Sequence, residues 1–396
     1  MLDAVQIGLS GLQTYSRGLQ TISNNVANMN TPGFKGAIPR FSDLYYGTPS
    51  DATGRFRDAQ PRFGSGVSYL QSYLNFAAGD LRDSDGPLDL GVSGAGFLTM
   101  LGGEGPRYAR TGQFRVADDG RIVDSNTGMQ LGILAADGTV QGASVAGRQW
   151  SPPRTTTTLK FTDNLSSGSE DHMLQSISVF DANGNARALT IRFTHDDEAA
   201  TQWKVAVESA EGGNLYTGML PFVGGMPQPG QEKLQAMLAF DDGTRMPLEL
   251  DFSSGVTGFS AGTASTLRVA GNDGYAAGTI SAFSVDDAGQ LTLQYSNGQE
   301  GKLGLVALAQ FSDRQRLIQH DKGLFEAPSG MQARFSSGAS NAAGHVKSGV
   351  IEASNVDLSA EFGQLILVQR GFQASSQVIS TANEMLLQLF QLRGQT

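Results

Sequence analysis

Leu2, Val5, Leu9, Leu12, Leu19, Ile22 and Val26 recur three, four or seven residues apart at the start of the chain. At its end Leu358, Phe362, Leu365, Phe372, Ile379, Leu386 and Phe390 repeat the pattern. Such spacing lays an apolar seam along one side of an α-helix. It predicts one helix over residues 3–27, about 37 Å long, and another from 357 to near 392, about 54 Å, at roughly 1.5 Å per residue. Pro32-Gly33 should end the first helix, and Asp357 is placed to cap the second. Neither helix has a helical neighbour in sequence, so the economical pairing is the first with the last. Only Asp3 and Arg17 are charged among the first 27 residues, and five charges fall in residues 357–396. The polar face of the first helix instead carries Gln6, Ser10, Gln13, Gln20, Thr21, Ser23 and Asn24. An uncharged polar face suits burial against further protein. Gly8, Gly11 and Gly18 each cost about 1 kcal/mol against Ala in an isolated helix. They make sense where another helix approaches closely.

Between the helices the pattern changes from helical period to strands and turns. Residues 34–70 look irregular, with Pro39, Pro49 and Pro61 among scattered aromatics. They are too hydrophobic for a flexible linker and read as an extended segment. Phe114 and Val116, then Asp119-Gly120, then Ile122 and Val123 predict a hairpin. Similar turns are predicted at Asp137-Gly138, Asn183-Gly184, Asp242-Gly243 and Asn297-Gly298. The expected class is α+β: long paired terminal helices forming a coiled-coil-like base, with nested, mainly-β domains inserted between them. In this layout residues 1–30 and 356–396 form the paired helices, and 31–70 the linker segment. Residues 71–145 and 283–355 form an inner β-domain, and 146–282 an inserted outer β-domain.

Composition narrows the function classes. The 51 glycines among 396 residues exceed the average share of roughly 7% and fit turn-rich β-structure. The formal net charge of -10 does not suit nucleic acid. Cysteine is absent, which excludes disulfides and thiolate metal sites. No apolar run approaches a membrane span, and the first residues lack the basic and apolar regions of a cleaved signal peptide. Gly301-Lys302 is followed by Leu303, so there is no phosphate-binding P-loop. Gly91-Val92-Ser93-Gly94 is followed by Ala95, so there is no nucleophile elbow. Asp181, Asn183 and Asn185 resemble the start of a calcium loop, but Ala186 and Arg192 occupy positions that need Gly and Glu. A plain Asx-rich turn is the reading there. His172, His195, His320 and His345 are too scattered for a metal set. No catalytic, cofactor or metal residue is therefore assigned, and the chain reads as an assembly subunit.

Four stretches carry a resemblance. Ile22-Ser23-Asn24-Asn25-Val26-Ala27-Asn28-Met29-Asn30-Thr31-Pro32-Gly33-Phe34-Lys35 resembles the N-terminal signature of bacterial flagellar rod and hook proteins. Gly349-Val350-Ile351-Glu352-Ala353-Ser354-Asn355-Val356-Asp357-Leu358-Ser359, with Gln369-Arg370-Gly371-Phe372-Gln373-Ala374-Ser375-Ser376, resembles their C-terminal signature. Arg110-Thr111-Gly112-Gln113-Phe114 resembles their first β-domain. Length and the 146–282 insert are most similar to the hook-type members. The resemblance implies a helical tube of many copies, with the terminal helices around a central channel. It implies unfolded export through the flagellar type III apparatus, without a signal peptide. Its implied partners are further copies of the chain and the rod, hook-cap and hook–filament junction proteins. Neither nucleic acid nor membrane insertion is expected. The two seams, together with Gly371, become the expected assembly interface. Phe41-Ser42-Asp43-Leu44-Tyr45 matches the family's export-gate pattern through Phe41 and Tyr45; a locally packed aromatic pair is the alternative. Two rival functions remain: a stiff distal rod subunit, and a secreted β-rich adhesin. The adhesin needs exposed aromatic platforms, and the chain has only Trp150 and Trp203 to offer among its tryptophans.

Overall fold

The computed structural model describes residues 2–44, 46–47, 63–196, 199–338 and 343–393. It contains two long helices and is otherwise mostly β-structure. Helix α1 spans Leu2–Ala27 and gives way to the turn that precedes Gly33, whose φ is +70°. Helix α2 spans Leu358–Arg393. Asp357 caps α2, its Oδ1 accepting from the Ser359 N–H at 2.8 Å and the Ala360 N–H at 3.3 Å. That satisfies two of the donors a helix start leaves open.

The chain divides into two compact units: Met1–Ala146 with Phe283–Thr292 and Lys302–Thr396, and Gly147–Ala282 with Leu293–Gly301. In the first unit, α1 and α2 lie against each other. Gly8 faces Ile379, Gly11 faces Ser375, Gly18 faces Val368, and Gly371 faces the Tyr15 ring. Partner numbers fall as α1 numbers rise, so the helices run antiparallel in one register. A two-stranded antiparallel sheet, Ala37–Asp43 with Val67–Leu74, lies on another side of α1. Part of the segment that looks irregular in sequence is therefore regular. Pro39 obscured it, and the register shifts between Ile38 and Arg40, so the alternation is broken there. Ser10, Thr14 and Thr21 tie this sheet to the helix: Thr14 Oγ1 donates to the Val67 carbonyl at 3.1 Å, the Val67 N–H donates to Ser10 Oγ at 3.2 Å, and Thr21 meets Tyr69 Oη at 2.7 Å. The rest of the unit is β-structure around an aromatic cluster, in which the Phe97 and Phe325 ring centroids are 5.5 Å apart and those of Tyr108 and Phe311 4.8 Å.

The second unit packs two five-stranded sheets around one core. Asp171–Phe180, Ala186–Asp196, Ala199–Ser209 and Asn214–Val223 follow one another as antiparallel neighbours. The other sheet centres on Thr158–Asn164, which pairs in parallel with Arg245–Asp251. Leu189, Ile191, Phe193, Val205 and Val207 are fully buried between them. All five predicted turns form, and Gly120, Gly138, Gly184, Gly243 and Gly298 each have positive φ. The turn at Asn297-Gly298 belongs to this second unit, whereas the linear pattern places it with the flanking pieces.

Candidate assembly surface

The side of α1 that meets α2 is formed by Gly8, Gly11, Tyr15, Gly18, Ile22 and Asn25, spaced three and four apart. The missing side chains are what permit the approach: a Cβ on Gly8 would lie 2.7 Å from Ile379 Cγ1, and one on Gly371 2.7 Å from the Tyr15 ring. Of the expected apolar seam of α1, Ile22 alone is fully buried among the residues whose burial is described. Val5, Leu12, Leu19 and Val26 are half-buried and Leu9 is exposed. At about 100° per residue that seam lies roughly 90° round the helix from the glycine seam. Ile379 of α2 lies against Gly8, and Leu358, Leu365 and Leu386 are half-buried. Phe362, Phe372 and Phe390 are exposed, Phe390 at 62%. Periodicity and the antiparallel register put these phenylalanines on the same side of the helix pair as the α1 seam. Gly371 sits against the aromatic ring of Tyr15 in the same chain.

Sequence reasoning missed a buried charge group just after α1 and just before α2. Lys35, Arg110 and Glu352 belong to three of the four stretches that carry the family resemblance, and all three residues are buried. Lys35 Nζ lies 2.6 Å from Glu352 Oε1, and Arg110 Nε 2.8 Å from Glu352 Oε2. Lys35 also donates to the Ala77 carbonyl at 2.7 Å, and Arg110 to the carbonyls of Val92, at 2.8 Å, and Gly96. The Gly79 N–H donates to the same Glu352 carboxylate at 2.8 Å. Burial pushes the Lys35 ammonium below its ordinary value of 10.5, against the opposing pull of Glu352. Two asparagines extend the junction. Asn25 joins Ala37 at both backbone groups and donates to Glu361 at 2.9 Å; Asn355 accepts from the Gly36 N–H at 2.9 Å and donates to Asn75 and Ala77. The signal available in the sequence was charge inside otherwise apolar or small-residue stretches.

Phe41 lies over Gly18, with ring centroids 5.7 Å from Tyr15 and 6.2 Å from Tyr69. Tyr45, the other half of the export pattern, lies outside the described residues. Trp203 is in the core of the second unit and Trp150 is exposed. The Asp181 carboxylate is engaged by the Asn183 and Asn185 N–H groups, each at 2.9 Å, and by Arg187. A cavity of about 330 Å³ beside the Asn30–Pro32 turn includes Asp124 and Lys322. Asp124 accepts from the Thr127 N–H at 2.9 Å, and Lys322 donates to the Asn126 carbonyl at 2.6 Å, so both charges serve local structure. Among the described residues no helix is long and apolar enough to cross a membrane.

Long helices at both ends and an inserted β unit are the layout that the resemblance to flagellar rod and hook proteins implies. Comparisons with known proteins agree. The family model "Flagella basal body rod protein" matches residues 6–35, "Flagellar basal body protein FlaE D2 domain" matches 149–275, and "Flagellar basal body rod FlgEFG protein C-terminal" matches 347–392. The flagellar hook protein FlgE of Borreliella burgdorferi is 27% identical, with 100% of each chain covered. The FlgE proteins of Escherichia coli K12 and Salmonella typhimurium are 27% and 28% identical, covering 97% of this chain and 98% of theirs. The solved Helicobacter pylori flagellar hook protein FlgE2 is a distant likeness, at 11% identity, TM-score 0.46, 67% of this chain and 99% of that one. The chain belongs to the flagellar rod and hook protein family. Within it, the chain is a structural subunit of the flagellar hook.

Proposed function

We propose that the chain polymerises into a hollow, bendable tube that carries motor torque to the filament. The observation that supports this is the apolar surface left on both helices: Val5, Leu9, Leu12 and Leu19 on α1, and Phe362, Phe372 and Phe390 on α2, are not fully covered within one chain. Burying one large apolar side chain contributes roughly 1.5–3 kcal/mol, so covering several per copy gives a large gain on assembly. In this reading α1 and α2 form a coiled-coil-like base in the inner wall. The β units make outer layers whose contacts slide as the tube bends. The role is mechanical, with no catalytic step and no cofactor. The subunit leaves the cell unfolded through the type III apparatus, with Phe41 and Tyr45 as its gate signal. It meets the rod, the hook cap and the hook–filament junction at the ends of the tube.

The test is complementation of a strain lacking its hook subunit, with electron microscopy of isolated basal bodies. Curved tubes containing this chain are expected. Straight, stiff tubes would favour the rod subunit, and an absence of tubes would remove the polymer reading altogether.

A further inference from the structure

The two sides of the helix pair differ. One is a broad apolar face combining the α1 seam of Val5, Leu9, Leu12, Leu19 and Val26 with Phe362, Phe372 and Phe390 of α2. The other carries the sheet of Ala37–Asp43 and Val67–Leu74 over α1. There α2 still presents a second seam, Leu367, Val378, Met385 and Leu389, with exposures from 45% to 71%. The helix period sets this seam about 100° from the residues of α2 that meet α1. Because the helices are antiparallel, the α1 seam and the second α2 seam point to opposite sides of the pair.

We propose that the narrow α2 ridge of one copy, Leu367 to Leu389, seats on the broad face of a second copy, along Val5 to Val26. This rests on the polymer reading above and names the contact that makes the polymer. Three observations support it. First, the lengths match: the ridge is about 33 Å long and the α1 seam about 32 Å at roughly 1.5 Å per residue. Second, neither seam includes a charged residue, so their contact strands no charge. Third, donor and acceptor seams on opposite sides make a heterologous contact that continues from copy to copy. A seam paired with its own equivalent would close into a two-fold dimer and stop. Small residues fall within both seams, Ser16 and Ser23 on α1 and Ala374 and Thr381 on α2, which gives each large side chain of the partner a place to enter.

The chain has no native cysteine, so engineered thiols report without background. Full-length Leu12→Cys is co-expressed with Leu367→Cys, Val378→Cys or Met385→Cys, each carrying a distinct tag. Isolated hooks are mildly oxidised; a disulfide needs Cα atoms within about 7 Å. At least one mixed pair should give a cross-linked dimer carrying both tags, while each variant alone stays monomeric on denaturing gels. Hooks that form normally yet cross-link only Leu12→Cys to itself, or give no mixed dimer with any of the three, would overturn the seam assignment and leave the polymer reading standing. Failure of the unsubstituted chain to form any tube would overturn both.

Discussion

In the second unit, Leu189, Ile191, Phe193, Val205 and Val207 are completely buried between its two sheets. In the terminal pair, Leu367 is 71% exposed on a helix that carries almost no charge. The first region satisfies its apolar side chains within one chain. The second spends its closest contact on glycines and leaves Leu, Val, Met and Phe facing outwards. Stability is therefore concentrated where the chain is self-contained, and unmet burial where copies are expected to meet. The terminal pair is joined to the strands of its unit by the Lys35–Glu352–Arg110 group, where loss of one partner leaves buried charge unpaired.

The sharpest way to break this comparison is a cavity in the self-contained core. Phe193→Ala should cost about 3–5 kcal/mol. Trp150 and Trp203 both lie in the second unit, so tryptophan fluorescence during urea unfolding reads that unit. An unchanged midpoint would show that this core is not what holds the unit together.

Glu352→Ala should follow closely. Removing one partner of a buried ion pair costs about 3–5 kcal/mol because the remaining charges are left unpaired, and Arg110 keeps two backbone acceptors that soften the loss. Limited proteolysis should release the helices faster while the tryptophan transition stays in place. Equal protection of the helices in both proteins would remove the junction's anchoring role.

Gly371→Leu is the next smaller change. Overpacking costs about 1–3 kcal/mol, and relief of the glycine's helix penalty returns about 1 kcal/mol. The Tyr15 ring leaves no room for the new side chain, so the pairing of α1 with α2 should weaken in the monomer. Increased cleavage within α2, with α-helical circular dichroism no higher than in the parent, is the expected result. Higher helicity with full protection would show that Tyr15 swings away freely.

Leu367→Ala should change monomer stability least, within about 0.5 kcal/mol, because the side chain makes few contacts there. Its effect should appear in assembly: urea midpoints unchanged, hook length or yield reduced in electron micrographs. A clear loss of monomer stability would mean that the exposed side chain is covered in solution.

Much of the architecture was legible because its signals are local. Two helices followed from residues three and four apart, the start of α2 from Asp357, and five turns from Asp-Gly and Asn-Gly pairs. The buried ion group was not legible, because Glu352 is separated from Arg110 by 242 residues and from Lys35 by 317. The strand at Ala37–Asp43 was hidden by Pro39 and a register shift. The seams of α1 and α2 stand out in the sequence as apolar stripes, but spacing alone does not say which stripe meets which partner. In the structure the glycine stripe of α1 is the intramolecular side, and most of the more hydrophobic stripe is left half-buried.

By itself, the sequence determined that the ends are helical, that the middle is turn-rich β-structure, and that the helices carry more apolar surface than one another's company can cover. Those properties depend on backbone preferences and side-chain periodicity, which act over a few residues. Only the tertiary structure decided that Gly8, Gly11 and Gly18 face α2, that Phe41 rests on Gly18, and that three charges from distant stretches share one buried site. Close approach and desolvation depend on which surfaces are brought within a few ångströms of each other. No local pattern in the chain encodes that.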